Sequence, residues 1–291
     1  WKLKKIEIYS DNLKNEKLLN FENNDDQLFS IVKNFQLYGI LKKSLLANKY
    51  YKKINTDIKK IKFDEYNIII NTDYSNDYTK KFFSKKIIKT YNSLAYTTII
   101  KHEEILNDIA VQIFTKKGPL AFLPISKNKT SIVYSINKLR ENNKLNVRKL
   151  INQYNFKYQI KGIEKINCFD LKSYVLRSYH HGNILAFGDL LHRIHPLAGQ
   201  GFNMTIRDIK ILNDIVQKKF DLGLPLDSTL NKEFENNQKH KNYIFSTGID
   251  LIHEFFNFER KAENNILSKS IKYFNKNLSI NKIFIKIADK G

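Results

Sequence analysis

The residues best suited to chemistry lie between Gly188 and Asn203, "GDLLHRIHPLAGQGFN". This stretch gathers three glycines, a proline, two histidines and an aspartate in a chain of 291 residues with only 10 glycines and 4 prolines. An aspartate set directly after a short apolar strand, here Asp189 after "NILAFG", can accept hydrogen bonds from sugar-like hydroxyls. Gly199 and Gly201 carry no Cβ and let the backbone come close to a flat ligand. A helix that begins at about Gly201 directs its free N–H groups and the positive end of its dipole at electron-rich atoms. The combination suits a flavin, whose pyrimidine edge becomes anionic on reduction and whose ribityl chain offers hydroxyls to Asp189.

Other reactive residue types form weaker patterns. His192 and His195 are three apart and could share a face with His180 and His181, yet no carboxylate or further ligand stands at zinc-site spacing, and "HEFFNFE" lacks the second histidine of a metalloprotease helix. No metal is expected. Cys168 is the single cysteine, which excludes an internal disulfide framework and a multi-cysteine zinc site and fits a reducing compartment. With no activating histidine or charge pattern nearby, it reads as an inert, partly buried thiol.

The elements that must hold these residues follow from apolar periodicity. Residues 3–9 alternate as a strand, and "NNDDQ" at 23–27 is a turn. From 36 to 47 the residues Leu37, Ile40, Leu41, Leu45 and Leu46 share one helical face. "YNIIINTDYSND" at 66–77 is a buried strand running into a polar turn. The segment 80–89 reads as a helix, with Lys81, Lys85 and Lys89 in one stripe and Phe83 and Ile87 in another. Strands then crowd together at 93–102, 109–115, 119–126 and 130–136, separated by short polar turns, which predicts an antiparallel sheet. A helix follows at 138–154 and a strand at 171–176. The helix from 201 to 218 is expected to turn Phe202, Ile206, Ile209, Leu212 and Val216 inward, and a helix over 230–258 follows the loop "DLGLP".

Bulk properties narrow the function classes. The hydrophobic share of 42% and aromatic share of 13% describe a globular chain. The net charge of +21 comes mostly from lysine, since six of the fifty basic residues are arginine. Base-reading proteins favour arginine, so nucleic acid is a disfavoured partner and an anionic lipid surface is the stronger competitor. No apolar run approaches the length needed to span a bilayer, and no signal-peptide pattern opens the chain. A cytoplasmic protein, with peripheral contact at the inner membrane face as an option, is expected. The chain begins at Trp1 and its only methionine is Met204, which reads as a fragment of a longer product.

"GDLLHRIHPLAGQGFNMTIRDIKIL" resembles the second FAD-contacting motif of class A flavin monooxygenases, above all the ubiquinone-biosynthesis hydroxylases of the UbiH, UbiF and Coq6 kind. The family pattern is matched at Gly188, Asp189, His192, Pro196, Gly199, Gln200, Gly201, Asn203, Arg207 and Asp208. "GPLAFLPIS" at 118–126 is similar to the family's substrate-domain sheet, "FSIVKNFQLYGILKKSLL" at 29–46 to one of its helices, and "KIFIKIADKG" to its C-terminal helix. The resemblance implies an α+β fold of the para-hydroxybenzoate-hydroxylase-like, FAD/NAD(P)-binding type. Residues 1–77 would be the remainder of the FAD-binding domain with an inserted helix, 78–176 a mainly antiparallel substrate-domain sheet, and 177–291 the return to the FAD-binding domain and C-terminal helices.

By the same resemblance the cofactor is FAD, the co-substrate NAD(P)H and the substrate a prenylated phenol. The reaction is aromatic-ring hydroxylation through a flavin C4a-hydroperoxide, with no side-chain nucleophile. Asp189 would hold ribityl or ribose hydroxyls, Pro196 with Gly199, Gln200 and Gly201 would line the isoalloxazine, Asn203 would order the helix start, and Asp73 would stand in the pyrophosphate motif.

Several positions depart from the pattern. Gly39 is the only glycine before Gly118, so no Gly-x-Gly-x-x-Gly turn is present. Tyr74 stands where a glycine follows Asp73, Leu190 and Leu191 replace two alanines, and Thr205 replaces a glycine; each is expected to crowd the cofactor. Two readings follow: an upstream fragment supplies the glycine motif, or the chain is a non-catalytic remnant or scaffold, acting within a biosynthetic assembly, that binds prenyl-phenol without flavin. A basic membrane or nucleic-acid binder, whose association falls steeply with salt, is the third.

Overall fold

The computed structural model describes residues 1–11, 17–22, 27–55, 60–138, 146–195 and 200–261, with some side chains beyond 251 left aside. The expected turn at 23–27 lies largely outside the described residues, as do part of the expected helix 138–154 and the C-terminal "KIFIKIADKG". The first elements are strands β1 (Lys2–Leu3), β2 (Lys5–Ser10), β3 (Lys17–Glu22) and β4 (Phe29–Ser30) and helix α1 (Asn34–Ala47). Next come β5 (Ile69–Asn71), α2 (Asp77–Phe82), β6 (Lys86–His102), β7 (Ile109–Phe114), β8 (Pro119–Ser126), β9 (Lys129–Asn137) and α3 (Val147–Tyr154). The remainder comprises β10 (Ile160–Ile163), β11 (Asn167–Leu176), β12 (His180–His181), β13 (Ile184–Ala186), β14 (His192–Arg193), α4 (Gln200–Asp221) and α5 (Ser228–Lys261).

The chain divides into two compact units, one of Trp1–Ile54, Asn92–Asp170 and the chain from Phe255, the other of Asn55–Tyr91 and Leu171–Glu254. This division does not coincide with the expected segments 1–77, 78–176 and 177–291. Residues 1–54 group with the sheet because β2 pairs in parallel with β7, from Lys5↔Ile109 to Ser10↔Phe114.

In the first unit the strands run in the order β6-β9-β8-β7-β2-β3, with β10 also paired to β6. Apart from β2 on β7 the pairings are antiparallel. Alternation in β9 sends Thr130, Ile132, Tyr134 and Ile136 to the buried side, as period-two patterning requires. Ile132, Tyr134 and Ile136 pack with Ile100, Leu120, Phe122 and, from α3, Val147 and Ile151; each such apolar side chain contributes about 1.5–3 kcal/mol when fully buried. Asn146 caps α3 by accepting from Lys149 N at 3.0 Å. The β7–β8 turn requires Gly118, whose φ is +152° and where a Cβ would lie 1.8 Å from Ser135 O.

One helical expectation is met and another is corrected. Helix α1 forms, with none of its residues buried. Its apolar stripe records a face suited to burial, and among the described residues nothing covers it. The segment 80–89 is not one helix: α2 ends at Phe82, Phe83 sinks into the core, and β6 begins at Lys86. The β-branched Ile87 and Ile88 favour strand, and Arg177 N donates to Lys85 O at 3.0 Å. Cys168, expected to be partly buried, is exposed.

In the second unit β13 lies between β12, antiparallel to it, and β5, parallel to it. Its core joins Phe83, Leu176, Tyr179, Leu185, Ile215 and Phe234 with other apolar residues. The inward face of α4 differs from the expected one. Met204, Asp208, Ile215 and Lys219 are buried, Leu212 and Val216 pack at the edge of the core, and Phe202, Ile206 and Ile209 stand about half exposed. The buried stripe of α4 runs through Asp208, whose carboxylate is met by buried His192 and Asn242.

Candidate functional site

Strands β5 and β13 run in parallel and end level with one another, Asn71 opposite Ala186. Phe187 N donates to Asn71 O at 2.9 Å just beyond them. Two turns, "NTDYSN" and "FGDLLH", therefore leave side by side from the carboxyl ends of parallel strands, where open α/β sheets receive ligands.

The second turn opens on Gly188, whose φ of +61° is left-handed and where a Cβ would meet nothing within 4 Å. The requirement is conformational rather than steric. Gly188–Leu190 form one turn of 3-10 helix. Leu190 and Leu191, expected to crowd a cofactor, are wholly buried in the core beneath the turn. Their bulk anchors the turn from below. Asp189 points the other way, exposed, and its carboxylate has no hydrogen bond or ion pair with a described residue. Its backbone carbonyl accepts from the Tyr174 hydroxyl.

The chain then enters β14, where His192 Nε2 lies 2.6 Å from Asp208 Oδ2 of α4. Asn242 of α5 donates to the other carboxylate oxygen at 3.2 Å. All three side chains are buried. A carboxylate withdrawn from water needs such partners, so the group ties the turn's exit, the middle of α4 and α5 into one body. His195 is buried edge-on against Tyr91, ring centroids 4.7 Å apart. Tyr91 donates to Asp250 and lies 2.9 Å from Ser173 Oγ. Burial, reinforced by the Asp250 carboxylate, pushes the Tyr91 hydroxyl well above the usual phenol range.

Gln200 and Gly201 open α4, with Asn203 Nδ2 3.4 Å from Gln200 Oε1. A Cβ on Gly201 would make only an ordinary contact, 3.8 Å from Ile194 Cγ1. Pro196 and Gly199 lie outside the described residues.

Asp73 sits in the neighbouring turn with its carboxylate already engaged, accepting from Ser75 N at 2.7 Å and Ser75 Oγ at 2.6 Å. The Ser75 hydroxyl and then its N–H hold this carboxyl below the ordinary value. Asn71, Asn76 and Thr79 brace the same turn by side-chain hydrogen bonds of 2.8–2.9 Å. Tyr74, expected to obstruct a close approach, is 70% exposed.

The turn at Gly188–Asp189 thus offers an uncommitted carboxylate on a rigid base, in keeping with a ligand rich in hydroxyls. The Asp73 turn is satisfied internally. Sequence reading did not single out Asn242, Tyr174, Tyr91 or Asp250, which lie in no local motif. Asp208 was visible as a motif position, and its place one helical turn after Met204 and seven residues before Ile215 marks a charge on the buried stripe.

A family model described as "FAD binding domain" matches residues 89–217. The chain is 30% identical over 156 residues to the 3-demethoxyubiquinol 3-hydroxylase of Escherichia coli, covering 51% of this chain and 40% of that protein. It is 26% identical over 168 residues to the mitochondrial ubiquinone biosynthesis monooxygenase COQ6 of Dictyostelium discoideum, covering 57% and 34% respectively. The chain thus spans less than half the length of these curated relatives. The p-nitrophenol 4-monooxygenase PnpA of Pseudomonas putida superposes with a TM-score of 0.76 at 11% identity, over 100% of this chain and 82% of that one. The fold is that of FAD-dependent monooxygenases of the para-hydroxybenzoate-hydroxylase type.

Proposed function

We propose that this chain, a relative of the class A FAD-dependent monooxygenases of ubiquinone biosynthesis, carries one wall of the flavin site of an aromatic-ring hydroxylase acting on a prenylated phenol. The observation that carries the reading is the buried His192–Asp208–Asn242 group, which fixes the Gly188–Asp189 turn and the head of α4 in one body. FAD supplies the redox chemistry when bound, with hydride from NAD(P)H and oxygen from O₂.

The protein's part is positioning. Asp189 accepts hydrogen bonds from ribityl or ribose hydroxyls. Gln200, Gly201 and Asn203 present the head of α4 to the electron-rich edge of the ring, and Pro196 and Gly199 line it. Asp73 serves the nucleotide end through the backbone of its turn. A polypeptide carrying a Gly-x-Gly-x-x-Gly unit completes the site, in a ubiquinone-biosynthesis assembly at the cytoplasmic face of the inner membrane. No helix among the described residues is long and apolar enough to cross a membrane.

The test is to supply purified protein, together with the polypeptide that carries the Gly-x-Gly-x-x-Gly unit, with FAD, NADH or NADPH and a short-chain prenylated phenol, and to look for the hydroxylated product by mass spectrometry. A product one oxygen heavier supports the reading; flavin bound without product contradicts the catalytic part. A second reading, a non-catalytic scaffold that binds prenyl-phenol alone, is favoured by the Asp73 carboxylate being committed to Ser75. It requires prenyl-phenol affinity that is unchanged by FAD.

A further inference from the structure

We propose that Lys86, Tyr174 and Arg193 form an anion-recognising row beside Asp189 that takes a phosphate group of a dinucleotide. The inference rests on the flavin reading of the Gly188–Asp189 turn and adds the second chemistry that such a ligand needs. Three neighbouring strands supply the row, in the order β14-β11-β6. Tyr174 on β11 stands directly opposite Arg193 on β14, so their side chains share a face. From β6, the Lys86 ammonium lies 4.3 Å from the centroid of the Tyr174 ring, a distance at which the ring face attracts a cation. The Tyr174 hydroxyl donates to the Asp189 backbone carbonyl, which fixes the row relative to the turn.

Neither cation is paired with an anion among the described residues: no carboxylate there lies within ion-pair distance of Lys86 or Arg193. Lys89, farther along the same strand, has both Asp250 at 3.8 Å and Glu254 at 3.5 Å. Lys86 is also partly withdrawn from water, and burial lowers its pKa. An arriving anion would relieve that cost. A guanidinium that can form a fork and a compact ammonium suit a phosphate oxygen set. Asp189 is the acid of this neighbourhood, and its carboxylate belongs to the hydroxyl-binding part of the site. Hydroxyls and phosphate would thus be read by adjacent but separate groups.

The phosphate can come from FAD itself or from NAD(P)H. The experiment measures affinities of ADP, adenosine, riboflavin, FAD and NADPH by calorimetry for the wild-type chain and for Lys86→Met, Lys86→Arg and Arg193→Gln. ADP is expected to bind at least tenfold more tightly than adenosine. That margin should shrink several-fold in Lys86→Met and Arg193→Gln and survive in Lys86→Arg, with riboflavin affinity unchanged. Whichever of FAD and NADPH loses affinity in step with ADP identifies the source. ADP binding no better than adenosine, or a margin unchanged by either neutral variant, overturns the proposal. A wild-type chain that binds ADP more tightly than adenosine but does not bind riboflavin would count against the flavin reading of the Asp189 turn, so the two failures are distinguishable.

Discussion

His192 and Asp208 meet inside the protein, ring nitrogen to carboxylate oxygen at 2.6 Å across sixteen residues of chain. That contact joins the end of the Gly-Asp turn to the middle of the buried face of α4, and Asn242 closes it from α5. Removing one partner leaves the other buried and unpaired. Asp208→Ala should therefore cost about 3–5 kcal/mol of stability, and Asp208→Asn, which keeps a polar atom in place, about 1–3 kcal/mol. Urea unfolding of both variants, read by circular dichroism, checks the ranking.

Two glycines should respond differently to alanine. At Gly188 the backbone is left-handed but the space is open, so Gly188→Ala should cost about 1–2 kcal/mol and leave the protein folded. At Gly118 the new methyl would lie 1.8 Å from Ser135 O, which forces β9 to move. Gly118→Ala should lower the melting temperature far more than Gly188→Ala, as thermal melts of the two variants would record.

Acid should weaken the second unit through Glu235. Burial alone would raise its carboxyl, but Lys239 at 2.7 Å, Tyr179 N at 2.9 Å and the charges of Lys239 and His180 outweigh it and hold the pKa below the ordinary value. A depressed carboxyl stabilises the fold above the unfolded pKa of about 4.3 and loses that contribution as pH falls through the folded value. Urea midpoints measured between pH 6 and pH 3 should fall less steeply for Glu235→Gln than for the wild type.

Cys168 is exposed. It should react completely with a thiol reagent in the native state, and Cys168→Ser should change stability by no more than about 0.5 kcal/mol. Mass spectrometry of native and unfolded samples would show equal labelling.

Much of the sheet was legible in the sequence because β-strand patterning is local. The four strands expected between 93 and 136 are β6 to β9, with β6 extended back to Lys86. What local pattern does not carry is the identity of the partner. α1 has a clear apolar stripe and no described neighbour on it. The buried face of α4 could not be read from apolar residues alone, since its deciding member is a carboxylate satisfied by His192 and by Asn242, thirty-four residues away. Leu190 and Leu191 looked like obstructions because a motif gives spacing without direction; the left-handed Gly188 turns them into the core.

Flavin binding at the Gly188–Asp189 turn is tested most directly by titrating FAD with the purified chain and following flavin fluorescence, for the wild type and Asp189→Ala. Saturable quenching by the wild type, with affinity weakened roughly tenfold in Asp189→Ala, corresponding to loss of a charge-assisted hydrogen bond, is the predicted result. Fluorescence that the wild type leaves unchanged, or quenching identical in both proteins, would contradict it.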